Sequence, residues 1–183
     1  MSQEDISNII KKCPSKSCSL DPIPTSLLKD SKVSDAVVPA ITAIVNNSLT
    51  SGIVPKDLKI SHVIPLLKKP SLDRETFKNY RPVSNLAFLH KMLEKVVASQ
   101  ITAHLAAHGL HDPMQSAYRR GHSTESALLK IKSDLDLILD KGDVALVVLL
   151  DLSAAFDTID HEVLLARLQT YTGVTRTALQ WIR

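Results

Sequence analysis

The apolar run 144–150, which ends directly at Asp151, constrains the fold of this chain more than any other stretch. It holds seven apolar residues rich in Val and Leu, and the nearest charge before it is Asp143. A run of this kind is typical of a strand covered on both faces. Its carboxylate would then lie at the rim of a sheet, where it could bind a hard cation such as Mg²⁺. A helix N-cap or a solvated strand end is the alternative for Asp151.

The eleven residues 151–161 read DLSAAFDTIDH, with an aromatic side chain at Phe156 and a candidate helix N-cap at Asp160. They resemble the first palm motif of the reverse transcriptases of non-LTR (long interspersed element type) retrotransposons. The resemblance implies that Asp151 and the backbone carbonyl of Leu152 bind the catalytic metal ions. It also implies that Phe156 lies under the sugar of the incoming nucleotide and excludes a 2′-hydroxyl.

The resemblance extends upstream through most of the chain. Residues 16–29, KSCSLDPIPTSLLK, resemble the segment that precedes the polymerase fingers, with its D-x-I-P core at 21–24. The activity implied for the lineage is RNA-directed DNA polymerisation from deoxynucleoside triphosphates with Mg²⁺. The implied partners are an RNA template, a DNA primer and the triphosphates, and the oligomeric state stays open.

Composition frames these expectations. One domain is the usual reading of 183 residues, and 44% apolar with 22% charged residues is globular rather than disordered. No apolar run reaches membrane-spanning length and no signal peptide is evident, so we expect an intracellular protein, nuclear or cytoplasmic. The net charge of +3 is too small to identify a nucleic-acid partner and does not exclude one, because binding depends on a basic patch.

Two basic clusters flank a short polar loop in the middle of the chain. Residues 60–67 form a strand candidate in which Pro65 favours an edge position or a bulge. Lys68 and Lys69 follow it, and Arg81 comes after the loop, so the pattern predicts a strand-loop-strand with cations at its open end. Such an end suits a triphosphate. In the family, IP-x-x-KK and NYRP-x-SN grip the incoming phosphates, which implies this role for Arg81 and for Lys68 or Lys69. Solvated surface charge is the alternative for the lysines.

Residues 115–125 resemble the second fingers motif of the family, usually Q-x-G-F-R, whose residues line the template path. The resemblance assigns this role to Gln115, Tyr118, Arg119 and Arg120. Ala117 replaces the motif's glycine and Tyr118 its phenylalanine. The missing glycine argues against a left-handed turn at Ala117, whereas tyrosine keeps a face on which a base can stack.

A zinc site is a weaker candidate. Cys13 and Cys18 are the only thiols, and they lack further ligands at suitable spacing, so reduced cysteines are expected. His104 and His108 are four residues apart on a predicted helix, but that helix should break before His111.

Helical periodicity predicts most of the remaining structure. A helix capped by Asp35 should end at Gly52, and another should span 88–108. A third should begin at Ser123 or Thr124 and end at Gly142. Its expected inner face comprises Ala127, Leu128, Ile131, Leu135, Ile138 and Leu139. Two further helices should follow Asp160 and Thr175.

The sequence thus predicts an α+β fold, mostly helical, with a small, incomplete mixed sheet. A segment that is mostly extended after a short first helix spans 1–30, a fingers-like region 31–143, and the start of a truncated palm 144–183. Two-metal transfer needs carboxylates from more than one segment, and no Asp-Asp pair occurs here. We therefore expect no polymerase activity from this chain. One alternative is a non-catalytic nucleic-acid-binding remnant or inert gene fragment. Another is an unrelated metal-dependent phosphotransferase that uses Asp151, although a Gly-rich phosphate loop is lacking.

Overall fold

Helices dominate the computed structural model, which describes residues 1–152, 155 and 157–183. About 54% of the chain is helical, and a small antiparallel sheet completes an α+β fold, as expected. The helices are α1 (Gln3–Lys12), α2 (Thr25–Leu28), α3 (Ser31–Ser51), α4 (Phe88–Ala107), α5 (Thr124–Asp140), α6 (His161–Thr172) and α7 (Arg176–Ile182). The strands are β1 (Ser61–Leu67) and β2 (Tyr80–Leu86), and short 3-10 turns span Lys56–Lys59 and Phe77–Asn79. The sheet is antiparallel rather than mixed throughout its described strands.

The core is one apolar cluster between α1, α3 and α4. Its most buried large side chains are Ile6, Ile10, Val45, Met92, Leu93 and Val96. Each comes from the apolar stripe of an amphipathic helix, and burying each such side chain stabilises the fold by about 1.5–3 kcal/mol. α4 fills the interval predicted for it and ends before Gly109, whose φ of 63° is left-handed.

The start of α3 corrects a prediction. The helix begins after Asp30, not after Asp35, because the Asp30 carboxylate accepts hydrogen bonds from the amides of Lys32 and Val33. Asp35 therefore lies inside the helix, one turn before Pro39. The predicted end is confirmed, since Gly52 closes α3 with a left-handed φ of 70°.

The C-terminal helix α7 packs onto α3, and α6 contacts α7. Asp160 caps α6 by accepting from the Val163 amide at 3.0 Å, as predicted. The indole N–H of Trp181 in α7 donates to Ser48 Oγ of α3 at 3.0 Å. At Gly52 a Cβ would stand 2.9 Å from the carbonyl oxygen of Thr177, so glycine allows α7 to approach the end of α3.

The predicted buried strand over 144–150 is wrong. All seven residues are described, and they form neither helix nor strand. Val144 is 95% exposed and Leu150 89%, and Ala145 alone is half-buried. A strand needs a hydrogen-bonded neighbour. Within the described chain this segment has none, so its composition is not enough to form a strand.

The inner face predicted for α5 is also not buried. Ser123 caps the helix as expected, but α5, which is described in full, buries none of its residues. Leu128 is 60% exposed and Ile131 44%. The amphipathic pattern of α5 is present, but its apolar side chains are left largely exposed.

Candidate functional site

The predicted strand-loop-strand is confirmed. β1 and β2 pair antiparallel from Ser61 opposite Leu86 to Leu67 opposite Tyr80. The Lys68 amide donates to the Asn79 carbonyl at 2.8 Å, just beyond the last pair. Because hydrogen-bonded and non-hydrogen-bonded pairs alternate, the facing residues Pro65 and Pro82 occupy a non-hydrogen-bonded pair. Each proline therefore lacks a donor on the outer edge only, so both fit a two-stranded hairpin.

Asp73 organises the loop at the tip of this hairpin. Its carboxylate accepts from the Glu75 amide at 3.0 Å and from the Thr76 hydroxyl at 2.7 Å. Its carbonyl accepts from the Asn79 side-chain amide at 2.8 Å. The Glu75 amide bond, followed by the Thr76 hydroxyl bond, lowers the pKa of Asp73 below its usual value. An ionised Asp73 thus holds the loop in shape, a contribution that sequence reasoning missed.

The cations at the hairpin's open end carry the net charge of the chain. Residues 68–81 contain five Lys or Arg and two Asp or Glu, out of totals of 22 and 19, which leaves 17 of each sign elsewhere. The whole net charge of +3 therefore lies in this stretch. Lys68, Lys69 and Arg81 are exposed, and none takes part in a salt bridge among the described residues. Lys68 Nζ donates to the Lys78 carbonyl at 2.6 Å. The side chains of Lys69 and Arg81 are therefore the two cations more available to a ligand.

The loop 112–122 presents an aromatic ring and an arginine to solvent. Tyr118 is 92% exposed and has a left-handed φ of 59°, so the positive φ falls on the tyrosine rather than on Ala117. Arg119 donates to the carbonyls of Asp112 and Gln115 at 2.9 and 3.2 Å. Arg119 therefore shapes the loop, whereas Tyr118 and the exposed Arg120 face outward.

Asp151 and Leu152 are exposed and lie in the irregular segment before α6. Phe156, the expected sugar contact, lies outside the described residues. Among the residues that are described, no group of three His, Cys, Asp or Glu could hold a metal ion. The Asp160 carboxylate already accepts the capping hydrogen bond of α6. The described donors thus fit one carboxylate ligand and not a complete two-metal site.

His104, His108 and the two cysteines, the candidates for a zinc site, contact other protein groups instead. His104 Nε2 is 2.7 Å from the Thr172 carbonyl oxygen, and His108 Nδ1 is 2.9 Å from that of His104. Both cysteines are free thiols, and Lys95 Nζ donates to Cys13 Sγ at 3.2 Å. In the part of the chain that is described, no helix has the length and apolarity to span a membrane.

Sequence comparison identifies relatives of this chain. The family model described as reverse transcriptase (RNA-dependent DNA polymerase) matches residues 67–183. The "Probable RNA-directed DNA polymerase from transposon BS" of Drosophila melanogaster is 26% identical over 183 residues, which cover 97% of this chain and 20% of that protein. The RNA-directed DNA polymerase from mobile element jockey of Drosophila funebris is 31% identical over 127 residues, which cover 68% of this chain and 14% of that protein.

A third relative, described as the "Probable RNA-directed DNA polymerase from transposon X-element" of Drosophila melanogaster, is 26% identical over 121 residues, covering 66% of this chain and 13% of that protein. The chain spans a fifth or less of the length of these relatives. These matches confirm the resemblance to reverse transcriptases of non-LTR retrotransposons. The chain belongs to the reverse transcriptase (RNA-dependent DNA polymerase) family.

Proposed function

We propose that this chain supplies the fingers and the first palm motif of an RNA-directed DNA polymerase, and that its β1–β2 hairpin binds the triphosphate of the incoming deoxynucleotide. The concentration of the net positive charge in residues 68–81 carries the proposal. Arg81 would supply a planar donor fork, and Lys69 and Lys68 point charges, to the phosphate oxygens. Phe156 would contact the sugar, as the family motif implies.

The loop 112–122 is the proposed contact for nucleic acid. Tyr118 offers a ring for base stacking, which is tolerant of sequence, and Arg120 a charge for a phosphate. Gln115 and Arg119 would act mainly by holding the loop, since Arg119 already donates to two carbonyls. Binding through phosphates releases counterions, so its affinity should fall steeply as salt concentration rises.

Asp151 and the Leu152 carbonyl are the proposed contribution to a Mg²⁺ site. One carboxylate does not make the site, because two-metal transfer needs carboxylates from more than one segment. We therefore expect this chain to bind nucleotide without extending a primer. Primer extension on an RNA template, with Mg²⁺ and then Mn²⁺, tests this expectation. Incorporation that is abolished by Asp151→Ala would contradict it.

A titration of a fluorescent deoxynucleoside triphosphate, followed by anisotropy, tests the hairpin assignment. Arg81→Ala should weaken binding about ten-fold or more, because it removes charge-assisted hydrogen bonds worth about 1.5–3 kcal/mol. Lys130→Ala is the matched control: it changes net charge equally but lies on α5, where Lys130 pairs with Asp134. Equal losses of affinity in the two variants would mean that the hairpin contributes only general positive charge, and would refute the assignment.

A further inference from the structure

Within the described chain, the N-terminus of α4 has no capping side chain of its own. Ala87 occupies the N-cap position, and the first turn holds no acidic residue. Ala87 and Phe88 are both buried, so an unpaired amide there would be costly. The missing acceptor comes from far away in sequence: the Phe88 amide donates to Asp21 Oδ1 at 2.5 Å, across 67 residues.

The second carboxylate oxygen of Asp21 is also occupied. Asp21 Oδ2 accepts from the Cys18 amide at 2.6 Å. Asp21 therefore joins the loop 18–21 to the first residue of α4, and its negative charge lies at the positive end of the helix dipole. An amide side chain could accept one of these two hydrogen bonds but not both.

The same loop contacts both strands of the hairpin at its base. Ser19 Oγ and His62 Nδ1 are hydrogen-bonded at 2.7 Å, and Cys18 Sγ donates weakly to the Asn85 carbonyl at 3.9 Å. His62 and Asn85 face each other in the β1–β2 register. Since Ala87 alone separates β2 from α4, the loop spans the joint at which the hairpin meets the helical core.

The loop is itself tied to the core. Thr25 at the start of α2 is fully buried, and its hydroxyl donates to the Lys16 carbonyl at 3.1 Å. The Thr25 amide donates to Ser17 Oγ at 2.9 Å. Pro22 and Pro24 restrict the backbone between Asp21 and Thr25. Residues 16–25 therefore form a stiff connection between the helical core and the base of the hairpin.

We infer that Asp21 is a positioning residue that fixes the orientation of the hairpin relative to the helical core, and thereby the position of the cations at the hairpin's tip. This inference rests on the proposed triphosphate-binding role of the hairpin. With about 3.3 Å per residue, its seven-residue strands are about 23 Å long, so a tilt of about 10° at the base moves the tip about 4 Å. That displacement exceeds the length of a hydrogen bond. A hairpin that tilted freely at its base would therefore not keep its cations within hydrogen-bonding distance of the phosphates.

The test measures hairpin orientation and nucleotide affinity separately. Spin labels on non-natural residues at Ser71, in the tip loop, and Ala43, on α3, report the distance distribution between hairpin and core; both positions are exposed. The variants are Asp21→Ala and Asp21→Asn. Asp30→Ala is the matched control, because Asp30 caps α3 from its own sequence neighbourhood and touches neither hairpin strand in the described contacts.

Asp21→Ala should broaden the distance distribution and weaken binding of the fluorescent triphosphate about ten-fold, if the competent orientation falls to about a tenth of the population. Asp21→Asn should give a smaller change in the distance distribution and in the affinity, because the carbonyl of its side chain can still accept from the Phe88 amide. Asp30→Ala should lower the melting temperature without changing the distance distribution or the affinity.

Two results would overturn the inference: an unchanged distribution in both Asp21 variants, or equal broadening in Asp30→Ala. If Asp21→Ala fails to fold, Asp21→Asn decides the question alone. Failure of the unaltered protein to bind triphosphate would refute the proposed function, whereas the distance distributions would still decide the role of Asp21.

Discussion

The hairpin strand β1 and the segment 144–150 have similar compositions and different outcomes. Both are short runs rich in branched apolar residues, and the second is the more apolar and contains no proline. β1 nevertheless forms a strand, with Val63 and Leu66 each 58% exposed, whereas 144–150 forms none. The difference lies in the partner. β2 follows β1 after a loop ordered by Asp73, so its hydrogen bonds cost little loop-closure entropy. Apolar composition gives a segment the tendency to pair, and a neighbour makes it a strand.

The largest expected effect comes from the exposed run. An uncharged segment with unpaired backbone groups is a template for pairing with another chain, so the protein should self-associate and bind hydrophobic dyes. Val147→Lys should suppress both, since position 147 faces its own copy when two such segments pair antiparallel about their centre. Sedimentation velocity and dye fluorescence measure the change.

Val63→Lys on β1 is the control, because it adds the same charge to a strand that already has a partner. Hydrogen exchange gives an independent check on the comparison between the two runs. Amides in 144–150 should exchange at unprotected rates while those at the β1–β2 ladder are slowed. Strong protection of 144–150 in a soluble monomer would contradict the exposed arrangement.

A smaller effect is expected from the facing prolines of the hairpin. Pro65 and Pro82 remove an outward donor from the middle of each outer edge, a device that limits further strand addition. The double variant Pro65→Val, Pro82→Val should restore both donors and raise the tendency of the hairpin to self-associate, measured by light scattering in a Val147→Lys background. Unchanged scattering would show that the prolines do not protect these edges.

Local signals in the sequence predicted the parts of the fold that depend on local contacts. Ser123, Asp160 and Gly52 were identified as helix ends because a cap bonds within a few residues of itself. The start of α3 differs from the predicted cap at Asp35, because Asp30 offers an equally suitable side chain earlier in the chain and accepts hydrogen bonds from the amides of Lys32 and Val33.

The rest depends on contacts that periodicity does not encode. An amphipathic face shows where α5 can pack, not that a partner lies against it. The Asp21–Phe88 hydrogen bond joins residues 67 apart, and only the capping residue missing at Ala87 hinted at a distant acceptor. For the candidate site, the two basic clusters on either side of a polar loop predicted a strand-loop-strand, which the structure confirms, whereas the hydrogen bonds that Lys68 and Arg119 donate to backbone carbonyls required the structure.

The smallest effect concerns the loop that gives β1 its partner. The folded pKa of Asp73 lies below the usual 3.8, so the loop keeps its full stability above that value and loses it as pH falls through the lower folded pKa. Protection of the Glu75 amide should therefore stay constant from pH 7 to about 4 and decline below that range, after correction for intrinsic exchange. In Asp73→Asn this decline should disappear, because the amide does not titrate, while the hairpin ladder stays paired. Nuclear magnetic resonance hydrogen exchange measures both quantities residue by residue. A pH profile that is identical in the two proteins would mean that the β1–β2 connection is ordered without the Asp73 carboxylate, and that the strands pair through their ladder alone.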